Sequence, residues 1–185
     1  MKKLLSISLA TALCAPIFAQ KMGSSNSDAP AVKQTITAGD AKISLDYTSI
    51  TWASGRTMTA VMDKEKGASA RKRINDSASK APLGKFSSSV DVMCGDVHLA
   101  AGEYQVFFTI TDDLAWQVNF QGKDKTFTTK LALEDSGHES KRLMLCLYAG
   151  EEDGAGAYVA FGKQAGMLAF KPHAADKDKN AKDGK

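Results

Sequence analysis

The feature that most constrains the fold is an alternation of apolar and polar side chains, clearest in the segment LAAGEYQVFFTI at residues 99–110. In its second half, Tyr104, Val106, Phe108 and Ile110 occupy every other position. A period of two places these four side chains on one face of a β-strand. The Ala-Gly step at 101–102 provides a tight turn, because glycine adopts backbone conformations that other residues avoid. We interpret this stretch as scaffold, a turn followed by a half-buried strand.

The same alternation recurs along the chain, with Gly- and Asp-containing turns between the segments. It predicts about nine short strands, at residues 32–38, 41–47, 89–94, 104–110, 116–121, 127–133, 143–148, 158–161 and 167–170. The first two flank the turn Ala38-Gly39-Asp40 and predict a hairpin. Many short strands without a sustained helical period are typical of all-β proteins. We therefore predict an antiparallel β-sandwich, jelly-roll or immunoglobulin-like, over residues 32–173.

One predicted strand differs from the others in its pattern. The segment LMLCLY at residues 143–148 is apolar at every position. A strand that is apolar on both faces is typical of the centre of a sheet with both faces covered. We expect this strand to be the most buried one.

Residues 62–85 interrupt the strand pattern. They contain seven basic residues and few large apolar ones. The segment predicts either a short surface helix over residues 68–74 or a long loop. Because charged segments without apolar anchors are commonly solvated, the pattern favours a solvated, mobile insertion.

The N-terminal residues have the pattern of an export signal. Two lysines are followed by an apolar run at 4–13 and then by PIFA, with Ile17 and Ala19 at the −3 and −1 positions of a cleavage site. We predict a signal peptide at residues 1–19, cut after Ala19, and a periplasmic or secreted protein. The apolar run is too short to span a bilayer, so we expect no transmembrane helix in the mature protein. Leu13 before Cys14 does not suit a lipidation motif.

Flexible segments are predicted at both ends of the mature chain. Residues 20–31 are small and polar and predict a linker. Residues 174–185 carry four lysines and three aspartates without a large apolar group. Such a segment cannot offset the entropy lost on ordering, so we expect a disordered tail.

The charge of the mature protein argues against one class of partner. The full chain has 24 Lys and Arg against 21 Asp and Glu, a formal charge of +3. Loss of Lys2 and Lys3 on cleavage lowers this to +1, and without the tail the charges balance. Phosphate recognition needs a concentrated basic surface, so we expect no nucleic-acid partner.

No motif in the chain predicts catalysis. There is no G-x-S-x-G elbow and no glycine-rich phosphate loop. The three histidines, His98, His138 and His173, are far apart in sequence and no Cys-x-x-Cys accompanies them, so they converge on a metal only if folding brings them together. We therefore predict no catalytic residue, no metal ligand and no cofactor.

Two cysteines remain after cleavage, Cys94 and Cys146. In an oxidising compartment, an even number of cysteines predicts a disulfide. Because cysteine also behaves as a small apolar residue, two separate buried thiols are the alternative. The sequence leaves both possibilities open.

The candidate binding residues are aromatic and basic. Tyr47, Trp52 and Arg56 lie within ten residues around a glycine, an arrangement that can stack against a sugar or bind an anion. The alternative is structural, with Trp52 covering the core and Arg56 paired to an acid. We add His98, in the predicted turn before the 104–110 strand, as a further candidate.

The chain resembles a bacterial secreted family catalogued as domain of unknown function 2911. LAAGEYQVFFTI…WQVNF is similar to its pattern L-P-A-G-x-Y-x-L-F-x-I…W-x-V-I-F-N. VKQTITAGDAKISLDYTSITWASGR is similar to V-x-Q-x-I-G-x-T-x-I-x-I-x-Y-S-x-P…G-R. The residues that match are Tyr47, Gly55, Arg56, Gly102, Tyr104 and Trp116. The family's W-R-T-G-A-N-E-A-T segment has no counterpart, so the resemblance implies a fold and secretion but no activity.

Together these features predict an exported, non-enzymatic binding or interaction module. Its partner is expected to be a cell-envelope glycan or protein. The alternative is a hydrolase or metal-dependent enzyme whose site assembles from loops around Arg56, His98 and His138. An enzyme needs an activated group, so convergence of His98, His138 and an acid in space would favour the alternative.

Overall fold

The computed structural model describes residues 29–51, 56–151 and 153–173, with the backbone alone for Arg56 and Thr57. The predicted signal peptide, most of the predicted linker and the predicted tail lie outside the described residues. Within them the strands are β1 (Ala31–Ala38), β2 (Ala41–Thr48), β3 (Gly84–Ser88), β4 (Val92–Cys94), β5 (Val97–Leu99), β6 (Gly102–Ile110), β7 (Trp116–Gln121), β8 (Thr126–Leu131), β9 (Glu134–Ala149) and β10 (Ala155–Pro172). The helices are α1 (Arg56–Met62) and α2 (Ala68–Ala78).

The strands form two antiparallel sheets. One has the order β1-β2-β3-β6-β7-β8, and the other has the order β5-β4-β10-β9. The all-β sandwich predicted from the alternation is therefore confirmed, with ten strands where about nine were expected. The β1–β2 hairpin turns at residues 39–40, as predicted.

Aromatic side chains from both sheets fill the interior. Phe86 and Phe120 of the larger sheet meet Phe170 of the smaller one, and Phe86 stacks on Phe170 with ring centres 4.7 Å apart. Nearer the other end, the rings of Trp116 and Phe161 lie 5.0 Å apart. The four inward residues of β6 singled out by the alternation are all buried.

The basic segment at 62–85 is not the solvated loop that the sequence favoured. It contains α2, which is longer than the helix predicted over residues 68–74 and packs against β6. Ile74 and Ala78 are buried on this helix. Its Asn75 side chain both donates to the Ile110 carbonyl and accepts from the Ile110 amide. Of the two alternatives, the helix is therefore the one that forms. The solvated loop was favoured because the charges were counted and the apolar residues spaced four apart on one helix face were overlooked.

The segment LMLCLY is not central. It lies in β9, at the edge of the smaller sheet. Leu143, Leu145 and Leu147 face the core, whereas Met144 and Tyr148 are exposed. The prediction of burial on both faces is therefore wrong, because no layer covers the outer face of this strand in the described part of the chain.

The strand β10 is long and bent. It covers both of the closing strands that were predicted at 158–161 and 167–170. Gly162 has a φ of +53°, and the register against β9 shifts on both sides of it. A left-handed backbone at this point suits glycine and places the bend there. No helix among the described residues is long and apolar enough to cross a membrane.

Candidate functional site

Tyr47, a predicted binding residue, lies inside the sandwich. It is only 6% exposed. Its hydroxyl oxygen accepts a hydrogen bond of 3.1 Å from the Leu145 amide of β9. Burial raises the pKa of Tyr47, so the phenol stays neutral. The prediction of a ligand-facing Tyr47 is therefore wrong, because the side chain bridges the two sheets.

The other two candidates of this group are Trp52 and Arg56. Trp52 lies outside the described residues, and Arg56 is the first residue of α1. Thr51, the last described residue before Trp52, forms an isolated β-bridge with Arg142.

A pocket of about 340 Å³ lies between α1 and the bend of β10. Its apolar lining residues are Met58, Met62 and the fully buried Phe161. Polar groups from three elements surround them. The polar and glycine residues lining it are Thr59, Glu139, Gly162, Lys163 and Gln164. Glu139 and Lys163 are exposed, so opposite charges stand at its mouth.

Gln164, one of the residues that line this pocket, has an unusual polar side chain. Its carbonyl oxygen Oε1 is buried and has no hydrogen-bond partner within the structure described. An unsatisfied buried acceptor lowers the stability of the folded protein by about 1–3 kcal/mol. A ligand that donated a hydrogen bond to this oxygen would remove that penalty. The sequence analysis missed Gln164 because GKQAG was taken only as a connection between strands. A polar residue at a bend between apolar segments is the signal that could have indicated it.

His98 lies on β5 and not in a turn. Its Nε2 is 3.0 Å from Oδ2 of Asp91, and both side chains are nearly half exposed. The amide of Ala101 donates to the other Asp91 oxygen. That backbone hydrogen bond, followed by the hydrogen bond to His98, lowers the pKa of Asp91. Asp91 is therefore a carboxylate that holds the imidazole of His98 in one orientation.

The histidines do not converge as the enzyme alternative requires. His98 lies on β5 and His138 on β9, and these strands form opposite edges of the smaller sheet. The ring of His173 lies beside His98 instead, with ring centres 4.7 Å apart. No group of three or more His, Cys, Asp or Glu side chains able to hold a metal occurs in residues 29–51, 56–151 and 153–173.

The two cysteines are free thiols on opposite faces of their sheet. Cys94 is buried and Cys146 is exposed. The strand β10 lies between β4 and β9, so two strand spacings of about 4.8 Å each separate their backbones, more than a disulfide spans. The predicted disulfide is therefore wrong, and so is the alternative of two buried thiols. Burial raises the pKa of Cys94 to about 12, so this thiol is not reactive.

Three comparisons with known proteins found no match. No family model matches the chain, and no curated protein or solved structure matches it either.

Proposed function

We propose that this chain is an exported, non-enzymatic interaction module that binds a segment of a cell-envelope protein in the pocket between α1 and β10. The observation that carries the proposal is an apolar pocket lined by Gln164, whose buried side-chain oxygen has no hydrogen-bond partner in the structure described. Ligand pockets typically combine apolar walls with a few placed polar groups. The resemblance to the secreted family, and the export that it implies, form part of this proposal.

The chemistry of the lining residues favours a peptide over a sugar. Met58 and Met62 are flexible and polarizable, and methionine adapts to apolar side chains of different shapes. Oε1 of Gln164 accepts from an N–H group, which every peptide bond offers. Glu139 and Lys163 at the mouth suit a segment that carries charges on either side of its apolar residue. Sugar sites commonly include an exposed aromatic ring, and among the described residues that line this pocket the one aromatic ring, Phe161, is buried too deeply to stack on a sugar.

The alternative of a hydrolase or metal-dependent enzyme loses its main support. It requires His98 and His138 to share a site with an acid, and they occupy opposite sheet edges. The thiol of Cys94 has a raised pKa and does not act as a nucleophile. We therefore assign the chain a binding role.

Binding is tested with the mature chain, beginning at Gln20, on an array of peptides tiled from envelope proteins and on an immobilised glycan array. We expect saturable binding to peptides with an apolar residue. Thr59→Trp, on the exposed side of α1, fills the pocket mouth and should weaken binding at least tenfold without lowering thermal stability. Ser69→Trp, on the exposed surface of α2, is the matched control and should bind as the wild type does. Binding to glycans alone, or equal binding by Thr59→Trp, would contradict the proposal.

The predicted loop is tested in the same assay. Arg56→Ala should weaken peptide binding, because Arg56 begins the helix whose Met58 and Met62 line the pocket, while leaving thermal stability nearly unchanged. Lys80→Ala, at an exposed basic residue after α2, is the control. If Arg56→Ala binds normally, the loop at 52–56 is not part of the binding site.

A further inference from the structure

Two imidazoles meet at the edge of the smaller sheet, although they are distant in sequence. His98 comes from β5, and His173 directly follows β10. Their ring centres lie 4.7 Å apart, with the ring planes tilted by 55°. The amide of His173 donates to the carbonyl of Asp91, which fixes the backbone of His173 beside the loop that carries this aspartate.

Asp91 determines which nitrogen of His98 is available. Its Oδ2 lies 3.0 Å from Nε2, and a carboxylate accepts, so Nε2 carries the proton of the neutral ring. The Nδ1 lone pair of His98 is then free to bind a ligand. A carboxylate that orients a histidine through its second nitrogen is the usual arrangement around metal-binding imidazoles.

We propose that His98 and His173 form a site for one divalent transition metal ion, of the Zn²⁺, Ni²⁺ or Cu²⁺ class, with water completing the coordination. Asp91 is the positioning residue and not a ligand. Imidazole nitrogens prefer these ions to Mg²⁺ and Ca²⁺, which take oxygen ligands. This inference does not rest on the proposed binding of a peptide, since the pocket at α1 is a separate feature.

The spacing of the two rings fits a shared ion. With metal–nitrogen bonds of about 2.1 Å, two imidazoles at adjacent coordination positions have ring centres roughly 5 Å apart. The observed ring-centre distance of 4.7 Å is close to this value. The side chain of His98 is nearly half exposed, so an ion and its waters reach the site from solvent.

The site has a consequence for the end of β10. His173 directly follows Pro172, the last residue of β10, which pairs with Val92 of β4. An ion bound to both histidines would tie the end of β10 to β5, across the short strand β4. We therefore expect metal binding to stabilise this edge of the sheet against proteolysis.

The experiment titrates the mature chain with Zn²⁺ by calorimetry and with Cu²⁺ while histidine ring signals are followed by NMR. We expect one saturable site and selective broadening of the His98 and His173 signals by Cu²⁺. His98→Gln and His173→Gln should each weaken Zn²⁺ binding at least tenfold. Asp91→Asn should weaken it by a smaller factor, because the orienting carboxylate is lost.

The third histidine provides the matched control. His138→Gln, at an exposed position on the opposite edge, should leave Zn²⁺ affinity unchanged. Circular dichroism checks that each variant folds. Equal affinity of His98→Gln and the wild type, or broadening of the His138 signal together with the others, would overturn the proposal. Absence of saturable binding by the folded wild-type chain would overturn it as well.

Discussion

At the scale of single residues, polar side chains on the inner faces connect the two sheets. Tyr47 accepts from the Leu145 amide, and Ser49 donates its hydroxyl hydrogen to the Leu143 carbonyl over 2.9 Å. Both partners are backbone groups on the side of β9 that faces away from β10. Each side chain therefore satisfies a buried backbone group that sheet pairing leaves without a partner.

The raised pKa of Tyr47 predicts a loss of stability in alkaline solution. Its ordinary pKa is 10.0 and burial raises it in the folded state, so the neutral phenol stabilises the fold below pH 10. That contribution is lost as the pH rises through the folded pKa. Tyr47→Phe should cost about 1–3 kcal/mol at neutral pH, because the Leu145 amide loses its acceptor. The cost should shrink above pH 10, measured by urea unfolding, and Tyr148→Phe at an exposed tyrosine should show neither effect.

The two thiols should differ strongly in reactivity. Cys146 is exposed, whereas Cys94 is buried and has a pKa of about 12, so almost no thiolate forms there at neutral pH. Iodoacetamide should add one group to the native mature chain and two after denaturation, as read by intact mass. Cys146→Ser should remove the native adduct. A chain that stays unlabelled even when denatured without reductant would show a disulfide after all.

At the scale of elements, the edge strand β9 is protected by side chains. Gln34 of β1 donates from Nε2 to the Leu145 carbonyl over 2.6 Å, and its Oε1 accepts from the Leu147 amide over 2.8 Å. A long strand with an open edge invites pairing with another chain. The amide of Gln34 occupies part of that edge and so blocks such pairing.

Removal of this side chain should therefore expose the edge. Gln34→Ala leaves the Leu145 carbonyl and the Leu147 amide without partners, and we expect a loss of about 1–3 kcal/mol in unfolding free energy. We also expect concentration-dependent self-association in light scattering. Gln105→Ala, inside β6 but away from any edge, is the control and should stay monodisperse. A monodisperse Gln34→Ala chain would contradict the protective role.

The helix α2 is part of the folded core and not an appendage. Arg71, 2% exposed, donates from Nη1 to the carbonyls of Val61 and Asp63 near the end of α1. A cation at a helix C-terminus interacts favourably with the carbonyls left open there. Arg71 is one of the basic residues that suggested a solvated insertion. In the structure its side chain is buried and connects the two helices.

Truncation of Ile74 tests how firmly α2 is integrated. Ile74 is 4% exposed, and Ile74→Ala should lower the unfolding free energy by about 2–5 kcal/mol. Arg73→Ala, at the neighbouring exposed position, should change it by less than about 0.5 kcal/mol. Chemical denaturation gives both values. Equal, small effects would mean that the helix folds independently of the sandwich.

At the scale of the whole molecule, one aromatic cluster joins the sheets. Phe170 stacks on Phe86 and meets the edge of Phe120, so the smaller sheet contributes to the same core as the larger one. Two layers that share a core are expected to unfold together. Neither sheet has a separate interior within the described ranges.

Phe170→Ala should destabilise both sheets at once. The expected cost is about 3–5 kcal/mol, because a buried aromatic ring is replaced by a cavity. Hydrogen exchange should show faster opening of amides in β2 and in β9 by the same factor. Tyr148→Ala, at an exposed aromatic position, is the control. Faster exchange in the smaller sheet alone would indicate two independently stable layers.

Much of the fold could be predicted from local pattern, because the period of two is a property of neighbouring residues. The strands at β1, β2, β6 and β7 follow it directly. Gln34 was also detectable in principle, since a polar residue between the inward-facing Val32 and Ile36 needs a partner inside the protein. His173, by contrast, had no local pattern that distinguished it.

The sequence by itself determined the class of fold, because alternation and turn chemistry act over a few residues and leave few ways to bury one face of many strands. The tertiary structure decided which faces are covered. Alternation predicts that the side chains of Met144 and Leu145 point to opposite faces of the strand. It does not predict that a second layer covers only the face with Leu145. The tertiary structure also decided which distant residues come together: Tyr47 with Leu145, His98 with His173, and Met58 and Gln164 around one pocket. Those arrangements depend on how the sheets pack and how the chain bends at Gly162, which arise from the packing of the whole core.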